Sequence, residues 1–454
     1  MKFPDWKARA VRFWRADEGG ITVLSLQMFL GALVIGGLTV DFGNGVANKT
    51  RLQVAADAAA HAALYTRELH SEAEAKTAAL DMAALNMPAG AFGTVLSDHD
   101  ISFGRWDSVN QSFSPDATSK EAVLVSTKRH ASNGNGVATY MLGLVGFNAL
   151  DVTSGTVFET YYPTCFREGF VAQDRVDMQS NGYFTSGFCI HSQTHVSVSS
   201  NNTFEPNVVV SMPDQRDIQL PSSGFTSNVG LQPALRDGSY NLRIVNRIDE
   251  IIRGIETDTT DPNVGIMASG SLYHRPYITS AVPITIKAQG PTALDPTKFK
   301  TGRIHVMDCK NDNTHKQIGA GFSLVNMVLI TDCRLQFAGG AVMENAAIIT
   351  KNTDAKSLYA SANIVIGKDD SCASGGGVQM ITKGGADFAS GVEAYGSQII
   401  AAGDISMTAN AAGVEGIALV AGGMLDVTSN GAFGFCGGAG MENNYEAAYF
   451  RLAN

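Results

Sequence analysis

Between Glu18 and Asp41 the chain carries 22 consecutive residues without a charge. A helix of that length crosses the roughly 30 Å hydrocarbon core of a bilayer. A core helix of a water-soluble domain shows a polar face within such a span, whereas here the polar side chains are only Thr22, Ser25, Gln27 and Thr39. The run is also longer than the 7–15-residue apolar core of a cleavable secretory signal. It therefore reads as a permanent anchor. Lys2, Lys7, Arg9, Arg12 and Arg15 precede it, so the positive-inside rule keeps that end in the cytoplasm and places the bulk of the chain outside.

The chain after the span continues as helix. "NGVANKTRLQVAADAAAHAALYTREL" is rich in alanine and other strong helix formers from about Val46 to Leu69. Leu52, Ala56, Ala59 and Ala63 fall on one stripe small enough for close helix packing. Within the span, Ala32 and Gly36 form a small-xxx-small pair, the pattern that lets helices approach in lipid. A second helix begins at "SEAEAKTAALDMAALN", where Ser71 and Glu74 make a capping box, and it should stop before Pro88.

The six cysteines, Cys165, Cys189, Cys309, Cys333, Cys372 and Cys436, all lie beyond the apolar segment. An even count placed there fits export to an oxidising compartment and disulfide formation. Two sequential pairs, 165–189 and 309–333, share a separation of 24 residues. Sequential pairing is the simplest of the possible connectivities, and a loop of that length is worth about 3 kcal/mol in the chain-entropy model. Zinc binding would need closely spaced CxxC or CxH pairs, which the sequence lacks. A net charge of −10 argues against nucleic-acid binding, which needs a basic footprint.

A resemblance emerges from the order of these pieces. "RFWRADEGG" leads into the span, "VDFGN" closes it and "RLQVAADAAAHAAL" follows. Then come an Ala-rich helix ending in "AALN", "ISFGRWDSVNQSFSPD", "AVLVSTKRH" and "GNGVATYMLGLVGFNALDVTSGTVFE". Over about residues 12–160 this succession resembles the TadE/TadG-like proteins of tight-adherence (Flp-type) pilus assembly, TadG-type. The resemblance implies a bacterial inner-membrane protein, single-pass, with its C-terminal region periplasmic, whose partners are other pilus-assembly proteins; the small-residue helix faces allow a homo-oligomer in lateral contact. Processed pilins are cut after a glycine and carry glutamate at the fifth mature position. After a cut at Gly20 that position would hold Ser25, so the resemblance favours an unprocessed chain. Phe103, Trp106 and Phe113 of "FGRWDSVNQSF" are expected to cover one face of a small sheet.

After about Tyr162 short alternating runs recur between Gly, Asn, Asp and Ser clusters, the signature of strands and turns. "MVLITD", "AAIITK", "GVQMITK" and "SQIIAAGDISMTANAAGVEGIALVAGGMLDVTSNG" are among the clearest. Their spacing predicts a right-handed parallel β-solenoid, whose coils bury their inner faces by stacking, with a β-sandwich as the competitor. Residues 241–258 fit either one amphipathic helix or a strand and turn. The expected domains are a cytoplasmic segment 1–18, a transmembrane helix 19–42, a TadG-like α+β module 43–160 and a disulfide-stapled β-rich domain 161–454.

Catalytic signals are weak. Asp308, Asp312, Asp332, Asp354, Asp369 and Asp370, with Arg303 and Arg334, are the carboxylates and bases an exported polysaccharide-cleaving solenoid would need, but each Asp sits at a turn, where Asp is favoured for local hydrogen bonding. His191 and His195 have zinc-ligand spacing for a helix, yet in the strand predicted for "CIHSQTHVSVSS" they would stand about 13 Å apart. Some TadG-type proteins carry a von Willebrand A-like metal site beginning Asp-x-Ser-x-Ser. Asp332 lacks both serines, and Asp404, Ser406 and Thr408 lie too near the end of the sequence for such a domain. The expectation is a non-enzymatic, membrane-anchored component of pilus assembly or anchoring, acting in cell adhesion without cofactor or metal. The alternative is a membrane-tethered solenoid enzyme or adhesin acting on a surface polysaccharide.

Overall fold

The computed structural model describes residues 20–256, 265–269, 271–288, 292–310, 314–360, 363–389, 391–407, 413–427 and 429–453. The basic segment 1–18, Asp312 and Thr408 lie outside the described residues. The chain divides into two compact units, Met1–Tyr161 with Ala448–Asn454, and Tyr162–Ala447.

The first unit is built on one 48-residue helix, α1 (Gly20–Arg67). At 1.5 Å per residue it is about 72 Å long, more than twice what a bilayer core requires. Its apolar first half is long and apolar enough to cross a membrane. Its second half is covered. Helix α2 (Glu72–Asn86) starts at the Ser71–Glu74 capping box, and both reciprocal bonds form. Ala75, Ala79 and Ala83 of α2 meet Ala56, Ala59, Ala60 and Ala63 of α1 in one cluster with Ile101, Phe103, Val123 and Val125. Alanine on both helices is what permits so close an approach.

The sheet that completes this cluster comprises β1 (Ile101–Asp107), β2 (Ser112–Pro115), β3 (Ala122–Arg129) and β4 (Val152–Tyr161), in the order β2–β1–β3–β4 and antiparallel throughout. Thr127 of β3 donates to the Leu52 carbonyl at 2.9 Å, fixing sheet to helix. Phe103 is buried in the helix-facing core, whereas Trp106 stands opposite Phe113 of β2 and is only half-buried. The three aromatics therefore do not share one face: positions 103 and 106 differ by an odd number, and side chains alternate along a strand.

The fifth strand of this sheet comes from the far end of the sequence. Tyr449–Leu452 runs antiparallel to β4, with Tyr449 opposite Tyr161 and Leu452 opposite Phe158. The last residues, assigned by their sequence to the β-rich domain, thus belong to the first unit. The whole of 162–447 is inserted between two neighbouring strands.

In the second unit every pairing between named strands is parallel, in one large and one smaller sheet. The chain alternates between them. Gly169–Ala172 turns a short corner into Val176–Met178, Cys189–Ser192 into Val196–Val198, Val378–Thr382 into Ala386–Phe388 and Val414–Ala421 into Leu425–Val427. Phe170, Ile190, Leu329, Ile348, Met380, Ile399 and Leu419 point inward to one core.

The stacking order is not the sequence order. The chain starts mid-stack at Gly169–Ala172 and adds Cys189–Ser192, Val209–Met212 and Leu235–Asp237 on one side. It then reappears at the opposite edge with Ser280–Lys287 and works back through Arg303–Asp308, Ser323–Thr331, Val342–Thr350, Val378–Thr382 and Val392–Ala401. Val414–Ala421 closes the stack by pairing with Gly169–Ala172, Leu419 opposite Phe170. Rings cross this seam: Phe433 stacks on Phe184 at 4.9 Å, and Phe184 on Phe204 at 5.0 Å.

Strand ends in the large sheet line up in register as Thr331, Thr350, Thr382, Ala401, Ala421, Ala172 and Ser192. Hydroxyls in this row turn the corners. Thr331, Thr350, Thr382 and Ser192 accept the N–H two residues on, at 3.0, 3.1, 2.9 and 3.0 Å. At the Gly422 corner a Cβ would lie 2.3 Å from the Ala402 carbonyl, so only glycine fits.

On inner strands of the large sheet such as Val378–Thr382 the outer face is buried as well, whereas the edge strand Ser280–Lys287 is largely exposed. Of the segment 241–258, the described residues form helical turns at Arg243–Asn246 and in the amphipathic helix α3 (Ile248–Glu256), which turns Ile248, Ile251, Ile252 and Ile255 inward. Gln398 clasps the Tyr445 backbone through two bonds, at 2.8 and 2.9 Å. All six cysteines are bonded, as 165–189, 309–333 and 372–436. Thr350→Val would leave the buried Cys333 carbonyl and Asn352 N–H without this partner. It should cost about 1–3 kcal/mol in denaturant unfolding of the detergent-solubilised chain.

Candidate functional site

The strongest local construction in the first unit lies where the apolar half of α1 ends. The residues of α1 that face the rest of the unit form one stripe at spacings of three and four: Gly37, Asp41, Gly45, Asn48, Leu52, Ala56, Ala59 and Ala63. Gly37, Asp41 and Asn48 are buried although they flank or lie within the most apolar part of the sequence. The element they hold is the loop 139–148, which joins the short antiparallel pair Val137–Ala138 and Ala149–Leu150.

Asp41 accepts three consecutive backbone N–H groups of that loop, from Tyr140, Met141 and Leu142, at 2.6, 3.0 and 2.6 Å. A carboxylate is suited to this because three converging donors leave a partial positive charge that it neutralises. Asn44 donates to the Ala138 carbonyl at 3.0 Å. Asn48 accepts from Arg129 at 2.5 Å, and Arg129 in turn donates to the carbonyls of Asn135 and Gly136. A Cβ on Gly37 would lie 2.5 Å from the Met141 Cβ. Glycine is thus required there by close approach.

Of the packing residues expected from sequence, Leu52, Ala56, Ala59 and Ala63 are fully buried, against the chain's own α2 and sheet rather than against another molecule. Ala32 and Gly36 are exposed, and nothing lies within 4 Å of a Cβ built on Gly36. The close approach falls one residue later, at Gly37, because one residue rotates the helix face by 100°. Gly37, Asp41 and Asn48 were missed. Their signal is the stripe itself, which extends upstream into "VDFGN" at unbroken helical spacing.

The second unit's expected chemistry is dispersed. Asp308 and Asp370 accept the N–H of Lys310 and Ala373, at 2.8 and 2.9 Å. Asp332 accepts the Cys309 N–H at 2.7 Å. Asp354 bonds the Lys356 N–H and pairs with Arg334 at 3.2 Å. Asp369 is exposed, and Arg303 donates to the Val282 carbonyl at 2.8 Å. Two groups of three potential ligand atoms occur among the described residues, Cys309–Asp332–Cys333 and Cys372–Glu415–Cys436. In each, the two sulfurs are already joined to one another, which leaves one carboxylate and no thiolate pair for a metal.

His191 is buried in Cys189–Ser192, with Nδ1 2.8 Å from the Ser211 hydroxyl and the Tyr240 ring at 4.9 Å, while His195 lies in the following corner. Asp404 accepts the Met424 N–H at 2.8 Å, and Ser406 sits in strand Ile405–Met407. A cavity of about 210 Å³ is lined by Ile255, Ile266, Ala281, Pro283, Ile304 and Ile330, among others. Glu256, the only charged residue among the described lining residues, is paired with Lys351.

Two measurements check this description. Asp41→Asn weakens a charge-assisted triad, so hydrogen exchange at Tyr140, Met141 and Leu142 should rise about tenfold, the equivalent of about 1.4 kcal/mol. Burial pushes the His191 imidazole from 6.5 down to about 4. The folded chain therefore resists a proton that the unfolded chain accepts, and stability is lost as pH falls from 6.5 towards 4, by roughly 3 kcal/mol over that window. His191→Gln should flatten that part of the stability–pH curve. Parallel curves for the two proteins would remove the assignment.

Comparison with known families gives three matches. A TadE/G-like Flp pilus-assembly model, Tad, matches residues 19–85, and a Tad-like Flp pilus-assembly model, Tad_C, matches 58–156. A domain of unknown function, DUF7867, matches 169–437. No curated protein and no solved structure matches the chain.

Proposed function

We propose a function on the premise that the chain belongs to the family defined by the domain of unknown function DUF7867, with a TadE/G-like Flp pilus-assembly segment ahead of that domain. It is a non-enzymatic, single-pass anchor of Flp-type pilus assembly. The observation that carries this is the change of exposure along α1. Phe29 and Ile35 are 61% and 69% exposed, whereas from Asp41 onward one face of the same unbroken helix is buried in the pilus-assembly-like fold. An apolar half that is almost wholly exposed among the described residues and a packed half beyond the first charge are what a membrane span entering a folded domain requires.

The basic residues ahead of the span orient segment 1–18 to the cytoplasm, the span to 19–42 and the α+β module from 43 to the periplasm of a bacterial inner membrane. Ala32 and Gly36 remain open for a neighbouring helix, in a second copy or in another assembly protein. We read the parallel stack of the second unit as a β-solenoid, since parallel ladders and recurring corners are expected of coils rather than of an antiparallel sandwich. With its turn carboxylates bonded to backbone, it serves as a rigid, disulfide-stapled surface for protein contacts.

The chain should stay with membranes through alkaline carbonate washing and, by mass spectrometry, retain the residues ahead of Ile21. A product starting at Ile21 would replace the anchor with a processed pilin-type subunit. Leu30→Asp, costing about 3 kcal/mol of insertion, should move much of the chain into the wash.

A further inference from the structure

We infer that the loop 139–148 is a second membrane contact, a wedge seated in the lipid interface beside the span. The inference rests on the membrane reading of α1 and goes beyond it.

The loop runs down α1 towards its apolar end. Leu150 lies against Gly45, the Ala138 carbonyl receives Asn44, and the N–H groups of residues 140–142 meet Asp41. Met141 then packs on Gly37, which lies inside the uncharged stretch. Four residues of helix separate Gly37 from Asp41, about 6 Å. If the uncharged stretch fills the bilayer, Met141 is at or below the level where the first charge marks the interface.

The loop has the composition such a place demands. Between His130 and Asp151 there is no charged residue. Tyr140, Leu144 and Phe147 are 67%, 78% and 66% exposed, three large apolar side chains left open within eight residues of an uncharged loop. Its backbone is internally bonded: Leu144 N–H to Met141, Phe147 N–H to Leu142, Gly146 N–H to Gly143 and Thr139 N–H to Asn148, at 3.0–3.2 Å. The Thr139 hydroxyl donates to the Phe147 carbonyl. A segment entering lipid must satisfy its own polar groups in this way, and a tyrosine beside aliphatic side chains is the usual interfacial mixture. The occupant of this surface is therefore the outer-leaflet interface rather than another protein, because the surface is continuous with the span and is held at its level by Asp41. Two points of attachment would fix the rotation and tilt of α1.

The test uses the full chain in phosphatidylcholine nanodiscs. All native cysteines are in disulfides, so a single introduced thiol takes an environment-sensitive fluorophore. Labels go at Leu144→Cys, at Val34→Cys within the span and at Asn110→Cys in the β1–β2 turn. A shallow lipid-borne quencher should at least halve the emission at 144 and leave 110 unchanged, while a deep quencher acts at 34. Quenching at 34 with a water-like 144 would overturn the wedge and leave the anchor standing. An apolar but unquenched 144, with the chain running as a dimer, would overturn it in favour of a protein contact. No quenching at 34 would overturn the anchor, and the wedge with it.

Discussion

The antiparallel pairing of Tyr161 with Tyr449 governs how the second unit has to be built. An insert between two neighbouring strands must begin and end at nearly the same point. A stack of parallel strands assembled in one direction separates its ends by about 4.8 Å per strand, roughly 50 Å for a sheet of this breadth. The chain avoids that by starting in the middle and building one arm. It then crosses to the far edge and fills inward until Val414–Ala421 lands on Gly169–Ala172. The Arg167–Glu446 ion pair, 2.5 Å between residues near the insert's two ends, shows the closure at the level of side chains.

The two sheets then divide the work of burial. Inner strands of the large sheet, such as Val378–Thr382, are buried at every position, and on the face away from the core Gln379 reaches Asn444 of the segment 439–447. Strands of the smaller sheet, such as Ala386–Phe388 and Leu425–Val427, alternate buried and half-buried. Their outward positions carry polar residues in register, among them Asp387, Ser406, Asp426, Asp177 and Ser197. Among the described residues, that sheet presents a row of outward polar side chains in register. It is the natural place for contacts that do not open the core.

Local chemistry made parts of this legible. The capping box at Ser71 and Glu74, the stop before Pro88, the sequential cysteine pairs and the strand-rich second half could all be read from short stretches. What was missed depended on phase or on distance. Gly36 and Gly37 are equivalent by composition, and only the continuation of the stripe through Asp41, Gly45 and Asn48 marks Gly37 as the one packed within the unit. Phe103 and Trp106 share one aromatic motif, but the odd spacing between them puts them on opposite faces of the strand. The seam was written in a repeat that went unread: "SNGYF" at 180–184, "SNNTF" at 200–204 and "SNGAF" at 429–433. In each the asparagine takes a left-handed turn and the phenylalanine joins the same stack. The return of strand 449–452 had no local signal at all.

The seam also sets an order of events. Until residues 414–433 arrive, the strand Gly169–Ala172 keeps one side unpaired, and the Phe184 ring lacks its Phe433 cover. A chain still being synthesised therefore presents an open parallel edge until nearly all of the second unit has been made. Such edges recruit other strands, and contacts this remote in sequence form slowly. The disulfide between Cys372 and Cys436 closes beside the last coil, so oxidation there marks a chain whose edge has already been covered. Until that point the second unit carries an open edge at Gly169–Ala172 in addition to those that the finished stack keeps at Leu235–Asp237 and Ser280–Lys287.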